Sequence, residues 1–184
     1  MGVPHRGRPG FLMSAEGDRE VVETQIGRPL RAESEVVARC HLGLPVVVKV
    51  PPHLDDGTPF PTLYWLTCPL AVTRIGRLEA GGGVKRMESK AVSDPDFGAS
   101  LDRAHREYAA ERDAMVTEPD APRPSGGVGG AALGVKCLHA HYAQHVAGGD
   151  NPVGSLVSEW IEPLDCEVPC VLGGEMNPEW VNRP

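Results

Sequence analysis

Two runs of β-branched residues give the clearest hydrophobic pattern in the chain. Residues 36–40 and 46–50 are joined by a short loop containing glycine and proline, which predicts a β-hairpin. Pro51 and Pro52 end the second strand because proline has no backbone donor. Residues 62–67 are rich in aromatic and β-branched types and predict a third strand.

Helical patterns follow these strands. Residues 69–80 predict a helix that starts at a proline, which suits a first helical position, and ends at a glycine triplet. Apolar residues at helical spacing predict a second helix over residues 100–117, after a polar connection. A third helix is predicted over residues 129–146. Asn151-Pro152 indicates a turn, and residues 157–161 a last short strand.

These elements predict an α+β fold with a small antiparallel sheet of about three to four strands packed against about three helices. We expect one α+β domain over residues 28–163. Residues 1–27 are expected to be a mobile leader, because they show no sustained hydrophobic period. Residues 164–184 are expected to be a loose tail punctuated by prolines.

Composition narrows the classes of function. The formal net charge of −7 over 184 residues argues against general nucleic-acid binding, which requires a basic surface. No apolar run approaches the roughly 20 residues that span a bilayer, and no signal-peptide core follows the N-terminus. We therefore expect a cytoplasmic protein without a membrane partner. The five cysteines cannot all pair with one another, so free, buried or metal-bound thiols are expected.

The segment from Lys136 to His145 holds one thiol and three imidazoles. On a regular helix, Cys137 and His141 share a face, whereas His139 points nearly the opposite way. A closed zinc site needs four ligands, so two would come from elsewhere, with Cys68 as the first candidate and His105, Cys40 or His41 as the next ones. The segment thus suggests a structural or regulatory zinc site. The alternative is that Cys137 is a core residue and the histidines are satisfied or solvated.

Cys68 suggests a second hypothesis, a thiol-dependent enzyme. Its predicted position at a helix N-terminus would favour the thiolate and lower the pKa of the thiol. His141, or His139, would be the acid/base group, and Arg74 or Lys136 would bind an anionic substrate. The alternative is a buried cysteine that merely precedes a helix.

A glycine-rich segment, residues 125–130, precedes the third predicted helix. Neither the P-loop triplet nor the strand required by a dinucleotide fingerprint accompanies it. The backbone of Gly129 and Gly130, helped by Lys136, suggests a weaker anion site, and a simple linker is the alternative.

Four stretches together resemble a known family: residues 37–40, 56–69, 135–141 and 151–154. The second reads Asp-Gly-Thr-Pro-Phe-Pro-Thr-Leu-Tyr-Trp-Leu-Thr-Cys-Pro, and the third Val-Lys-Cys-Leu-His-Ala-His. The chain resembles, from about residue 28 to 163, the uncharacterised bacterial family known as domain of unknown function family 501. The resemblance implies no established activity. Members are often encoded near a septum-formation protein, enolase and an exopolyphosphatase, which suggests a third hypothesis, a non-catalytic protein partner in cell division.

Overall fold

A computed structural model describes residues 15–182 and confirms the predicted α+β class. The described part of the chain contains six α-helices: α1 (Ala15–Ile26), α2 (Pro69–Ala80), α3 (Gly83–Ser93), α4 (Pro95–Ala114), α5 (Leu138–Val146) and α6 (Pro152–Ile161). Its strands are β1 (Glu35–Arg39), β2 (Pro45–Lys49), β3 (Tyr64–Leu66), β4 (Val171–Leu172) and β5 (Glu175–Met176). A 3₁₀ turn covers Val128–Gly130.

The first three strands form an antiparallel sheet in the order β1-β2-β3, which confirms the predicted hairpin and third strand. Both faces of β2 are covered, so its residues are buried along nearly the whole strand. Val47 belongs to the main core, which the sheet shares with α2, α4, α5 and α6. Val48 faces the other way, into a smaller apolar cluster that includes Val22 of α1. The sheet therefore separates two hydrophobic clusters.

Helix α2 has the bounds that the sequence predicts. Cys68 is its N-cap residue in an extended conformation, and Pro69 occupies the first helical position, where a missing N–H costs nothing. The sequence analysis assigned no element to the polar connection that follows, and in the structure this connection forms α3. Gly83 and Met87 are the buried residues of that helix.

The second predicted helix begins earlier than residue 100 and ends before residue 117. Helix α4 starts at Pro95 because Asp94 Oδ1 accepts the Phe97 N–H at 3.1 Å and caps the first turn. Proline at the first position adds a preset backbone angle.

The third predicted helix is wrong over its first half. Helix α5 begins at Leu138 and not at residue 129. Gly129, Gly130 and Gly134 all have positive φ, which a right-handed helix cannot contain. Cys137 is consequently the N-cap residue, in an extended conformation, and does not lie within the helix.

The strand predicted over residues 157–161 is wrong, because α6 covers these residues, and the Asn151-Pro152 pair predicted as a turn is the beginning of this helix. Asn151 Oδ1 accepts the Gly154 N–H at 2.8 Å and caps the helix, with Pro152 at its first position. Gly154 lets α6 lie directly on α5, since a Cβ atom there would overlap the His141 carbonyl oxygen. Close packing of α6 on α5 therefore outweighs the preference of the β-branched residues for a strand.

Both terminal segments contact the domain where they are described. Val21 and Val22 of α1 are buried, and Cys170 and Val171 of the C-terminal segment join Val21 in a third cluster. The rest of the predicted leader, residues 1–14, lies outside the described residues. Among residues 15–182, no helix combines the length and the apolar content that crossing a bilayer requires.

Candidate functional site

The beginning of α5 lies against the C-terminal end of α2. The Cys137 side chain makes no capping hydrogen bond, although Cys137 occupies the N-cap position. Glu79 of α2 takes that role, because its Oε1 accepts the Leu138 N–H at 2.6 Å. A carboxylate at this place also complements the positive end of the α5 dipole. The same bond holds the Glu79 carboxylate beside the cysteine and histidine side chains of the α5 entrance.

Glu79, Cys137 and His139 form a cluster of three possible metal ligands. Their ligand atoms all lie within 4.8 Å of one another, and theirs is the one such group of three among residues 15–182. Cys137 Sγ lies 3.6 Å from His139 Nδ1, and Glu79 Oε1 lies 3.2 Å from the same nitrogen. We call these three side chains the Glu-Cys-His cluster.

The hydrogen bonds of His139 determine which nitrogen of its imidazole ring carries the hydrogen. Nε2 lies 3.1 Å from the Val72 carbonyl oxygen, which can only accept, so Nε2 carries a hydrogen. In the neutral ring Nδ1 then has a lone pair, and this lone pair faces the Glu79 carboxylate and the Cys137 sulfur. Three electron-rich atoms converge, and a positive charge between them, either a proton or a metal ion, would stabilise the arrangement.

Without a metal, that positive charge is a proton. Burial alone would lower the pKa of His139, but other interactions outweigh it. The hydrogen bond to Cys137, the charges of Cys137 and Glu79, and the Val72 carbonyl raise the pKa to about 9. About a quarter of each side chain remains exposed at His139 and Glu79, so solvent reaches the cluster.

The spacing of the cluster suits a tetrahedral ion. Zinc bonds of about 2.3 Å to sulfur and about 2.0 Å to nitrogen place the two ligand atoms about 3.5 Å apart at a tetrahedral angle. The observed separation of Cys137 Sγ and His139 Nδ1 is 3.6 Å. The hydrogen on Nε2 donates to a backbone carbonyl, the usual second interaction of a metal-bound histidine. Three protein ligands leave one coordination position open to solvent.

His105 and His141, two residues of the metal hypothesis, lie together but outside this cluster. Their ring centroids are 5.5 Å apart, with an interplanar angle of 82°. Both nitrogens of His105 are engaged, with the Val128 N–H at 3.0 Å and the Gly134 carbonyl at 2.9 Å. His141 is fully buried and contacts Asn151, and burial followed by the nearby His105 lowers its pKa to about 4. It is a neutral core histidine.

Cys68 also lies outside the Glu-Cys-His cluster, in the main core, with 6% of its surface exposed. Burial raises the pKa of its thiol to about 12, and the N–H groups at the start of α2 only partly oppose this. The direction is opposite to the one predicted from its helix N-terminus. Its neighbours include Cys40 and Cys170, since the C-terminal segment folds back over this part of the core.

The residues predicted to bind an anion are dispersed or engaged. Arg74 donates to the Ile161 and Pro163 carbonyls at 2.7 Å each and pairs with Asp165 at 2.6 Å. It therefore fixes the end of α6. The Gly130 N–H donates to the Gly127 carbonyl at 2.9 Å, which removes it from a phosphate cradle.

Gly129 packs against α5, where a Cβ atom would lie 3.3 Å from the Ala140 Cβ. Lys136 is exposed just before α5.

Sequence reasoning missed Glu79. It also predicted that the His139 side chain points away from Cys137, whereas the two side chains are in contact. No local pattern around Glu79 points to a ligand, because its partners lie almost 60 residues away. The sequence does contain a cue to the position of His139. The glycines from 126 to 134 indicate that the helix starts late, and a cysteine just before a helix no longer obeys helical spacing.

The fold and the cluster together define an α+β protein with a partly exposed candidate metal site between two helix ends. A family model described as "Protein of unknown function (DUF501)" matches residues 36–159. The chain belongs to this family, in agreement with the resemblance seen in the sequence. No curated protein and no solved structure matches the chain.

Proposed function

We propose that the protein binds one divalent metal ion, zinc by preference, through Glu79, Cys137 and His139. The observation that carries the proposal is the convergence of sulfur, imidazole nitrogen and carboxylate oxygen on one point, with the tautomer of His139 already set for coordination by Nδ1. Thiolate and imidazole are the ligands that zinc prefers. The expected cytoplasmic location would keep the Cys137 thiol reduced and free to coordinate.

The number of ligands suggests what the ion does. A structural zinc ion usually has four protein ligands, whereas three protein ligands and one exchangeable position are typical of sites that bind water or a small ligand. The partial exposure of His139 and Glu79 gives such a ligand access. We therefore infer an exchangeable site that acts as a Lewis acid or a sensor, in place of the closed structural site expected from the sequence.

Metal analysis of the untagged protein tests the proposal. We expect about one equivalent of zinc per chain after dialysis against trace zinc, and a weakening of affinity by at least about tenfold in Cys137→Ser and His139→Gln. His145→Gln on the same helix and Cys166→Ser are matched controls and should keep the metal. Cobalt substitution should give the intense visible bands of a tetrahedral thiolate complex, and Cys137→Ser should remove them.

Two outcomes would contradict a metal site here. One is less than about a tenth of an equivalent of zinc in the wild-type protein under these conditions. The other is full retention of the metal by the Cys137→Ser, His139→Gln double variant with its fold preserved by circular dichroism.

A second candidate function is thiol chemistry at Cys137 without a metal. The contact of 3.6 Å between Cys137 Sγ and His139 Nδ1 favours it, because an imidazole beside a thiol is the pairing that thiol-dependent enzymes use. Alkylation separates the two candidates. If zinc occupies the site, added zinc should protect Cys137 from iodoacetamide and a chelator should restore labelling. If Cys137 acts only as a nucleophile, zinc should leave its labelling rate unchanged.

A further inference from the structure

A cavity lies on the side of the sheet opposite the main core, between α1 and the outward face of β2 and β3. Its volume is about 60 Å³, and about 490 Å³ when the mouth open to solvent is counted. Small-molecule sites usually have a pre-formed apolar cleft with a few polar groups. The apolar walls of this cavity include Val22 of α1, Ala32, Val48 of β2, Phe60 and Trp65 of β3.

The wall of the cavity contains a buried polar group that no atom of residues 15–182 satisfies. Thr67 lines the cavity and is 2% exposed. Within the described residues, its Oγ1 has no hydrogen-bond partner. A buried hydroxyl without a partner destabilises the protein, so a group that enters the cavity and bonds to it restores the missing hydrogen bond. The hydroxyl can donate or accept a hydrogen bond.

The mouth of the cavity carries a cation. The Arg28 guanidinium lies 4.8 Å from the centre of the Trp65 ring, and Phe60 stacks on the same indole with centroids 5.5 Å apart. Arg31, also at the rim, pairs with Asp56 at 2.7 Å. Among residues 15–182, Arg28 forms no ion pair, so its charge can meet an anionic group at the entrance.

We propose that this cavity binds a small organic acid with a flat apolar body, an acidic group at one end and a hydrogen-bonding atom at the other. The carboxylate would meet Arg28 at the mouth, and the far end would bond to Thr67 Oγ1. The apolar walls would hold the body of the molecule. This site is separate from the Glu-Cys-His cluster, because the sheet and the main core lie between the two.

Three related probes separate the two ends of the ligand. 4-Hydroxyphenylacetate has the acid and the inner hydroxyl, phenylacetate lacks the hydroxyl, and 4-hydroxyphenethyl alcohol lacks the charge. Binding is measured on the full chain by the shift of the Trp65 indole N–H signal in ¹H–¹⁵N NMR spectra. We expect 4-hydroxyphenylacetate to bind most tightly and to move the Trp65 signal more than those of Trp160 and Trp180.

Variants assign each contact. Arg28→Gln should weaken both acids about tenfold and leave the neutral alcohol unchanged. Thr67→Val keeps the shape of the side chain and should weaken 4-hydroxyphenylacetate about five- to tenfold while phenylacetate is unaffected. Ala32→Leu should fill the cavity and abolish binding of all three probes. Arg28 is exposed, so its variant should fold normally even if a buried substitution does not.

The proposal is overturned if none of the probes binds at about 5 mM, which would leave the cavity to a water molecule on Thr67. It is equally overturned if the probes bind but neither Arg28→Gln nor Thr67→Val changes their relative affinities. Neither readout depends on zinc, so the outcome is independent of the proposed metal site.

Discussion

Arg112 illustrates how a charged residue can serve the fold alone. Arg112 is only 1% exposed, although it carries a charge, and it lies in the last turn of α4. Its guanidinium donates to the carbonyls of Gly126 at 2.7 Å, Pro124 at 3.0 Å and Pro61 at 3.3 Å. These bonds hold the glycine-rich loop onto α4. The planar fork of arginine can reach several carbonyls at once, which lysine cannot.

We therefore expect Arg112→Met to lower the free energy of unfolding by about 2–4 kcal/mol, because buried carbonyls lose their donors. Arg103→Met, on the same helix, is the control. Arg103 is exposed and pairs with Asp150 at 3.1 Å, so its loss should cost less than about 1 kcal/mol. Urea denaturation followed by circular dichroism measures both. Equal costs for the two variants would contradict the role given to Arg112.

Cys68 shows that burial can override a helix terminus. Its pKa of about 12 lies above the ordinary value of 9.0, so the folded protein keeps a proton that the unfolded chain loses between about pH 9 and pH 12. The contribution of Cys68 to the free energy of unfolding is therefore fully present below pH 9. It is lost as the pH rises through the folded pKa, because the unfolded chain then gains by ionising its thiol.

This raised pKa predicts that the Cys68 thiol is alkylated slowly. At pH 8 the thiolate fraction of Cys68 should be about a thousandfold below that of a model thiol, and burial should slow iodoacetamide further. Mass spectrometry of alkylated peptides gives the rate at each cysteine, with the half-buried Cys137 of the metal-free protein as internal reference. Labelling of Cys68 at the rate of Cys137 would show that the core opens or that the thiol is activated.

At the scale of elements, two glycines in helices have opposite roles. Gly154 lies where α6 crosses α5, and a Cβ atom would overlap the His141 carbonyl and the His145 side chain. Gly76 lies within α2, where a Cβ atom would meet nothing within 4 Å. The first glycine permits a helix contact, whereas the second only weakens its helix.

Gly154→Ala should therefore destabilise the protein by about 2–4 kcal/mol, because the helices must separate. Gly76→Ala should stabilise it by up to about 1 kcal/mol through helix propensity. Thermal unfolding of the two variants should shift in opposite directions. A stable Gly154→Ala variant would mean that α5 and α6 pack less closely than the structure indicates.

At the scale of the whole molecule, the C-terminal segment completes the core around the cysteines. His41 Nε2 lies 2.9 Å from the Cys166 carbonyl, the Trp180 indole donates to Cys166 Sγ at 3.3 Å, and Gln25 of α1 donates to Cys170 Sγ at 3.5 Å. Of the two cysteines of the tail, Cys170 lies near Cys40 and Cys68, and Cys166 lies near Cys170.

Removal of residues 167–184 should expose this region. We expect alkylation of Cys68 to become at least about tenfold faster and the melting temperature to fall, because local opening no longer has to displace the packed segment. The mass-spectrometric assay described for Cys68 measures the first effect and circular dichroism the second. An unchanged rate would show that the segment does not protect the thiol.

The sequence alone determined the elements whose cues are local. The hairpin, the third strand and helix α2 follow from β-branched runs, prolines and glycines that act on their immediate neighbours. The α+β class follows from the same cues. Helix α6 was missed because its β-branched residues favour a strand until α5 offers them a surface, and α3 was missed because little of it is buried.

Only the tertiary structure decided the candidate site. Cys137 and His139 became neighbours because positive-φ glycines delayed the start of α5, and Glu79 joined them because α2 packs against that start. Hydrophobic periodicity carries information about one segment and its buried face. It carries none about which side chains from distant segments meet, since that depends on how the helices pack.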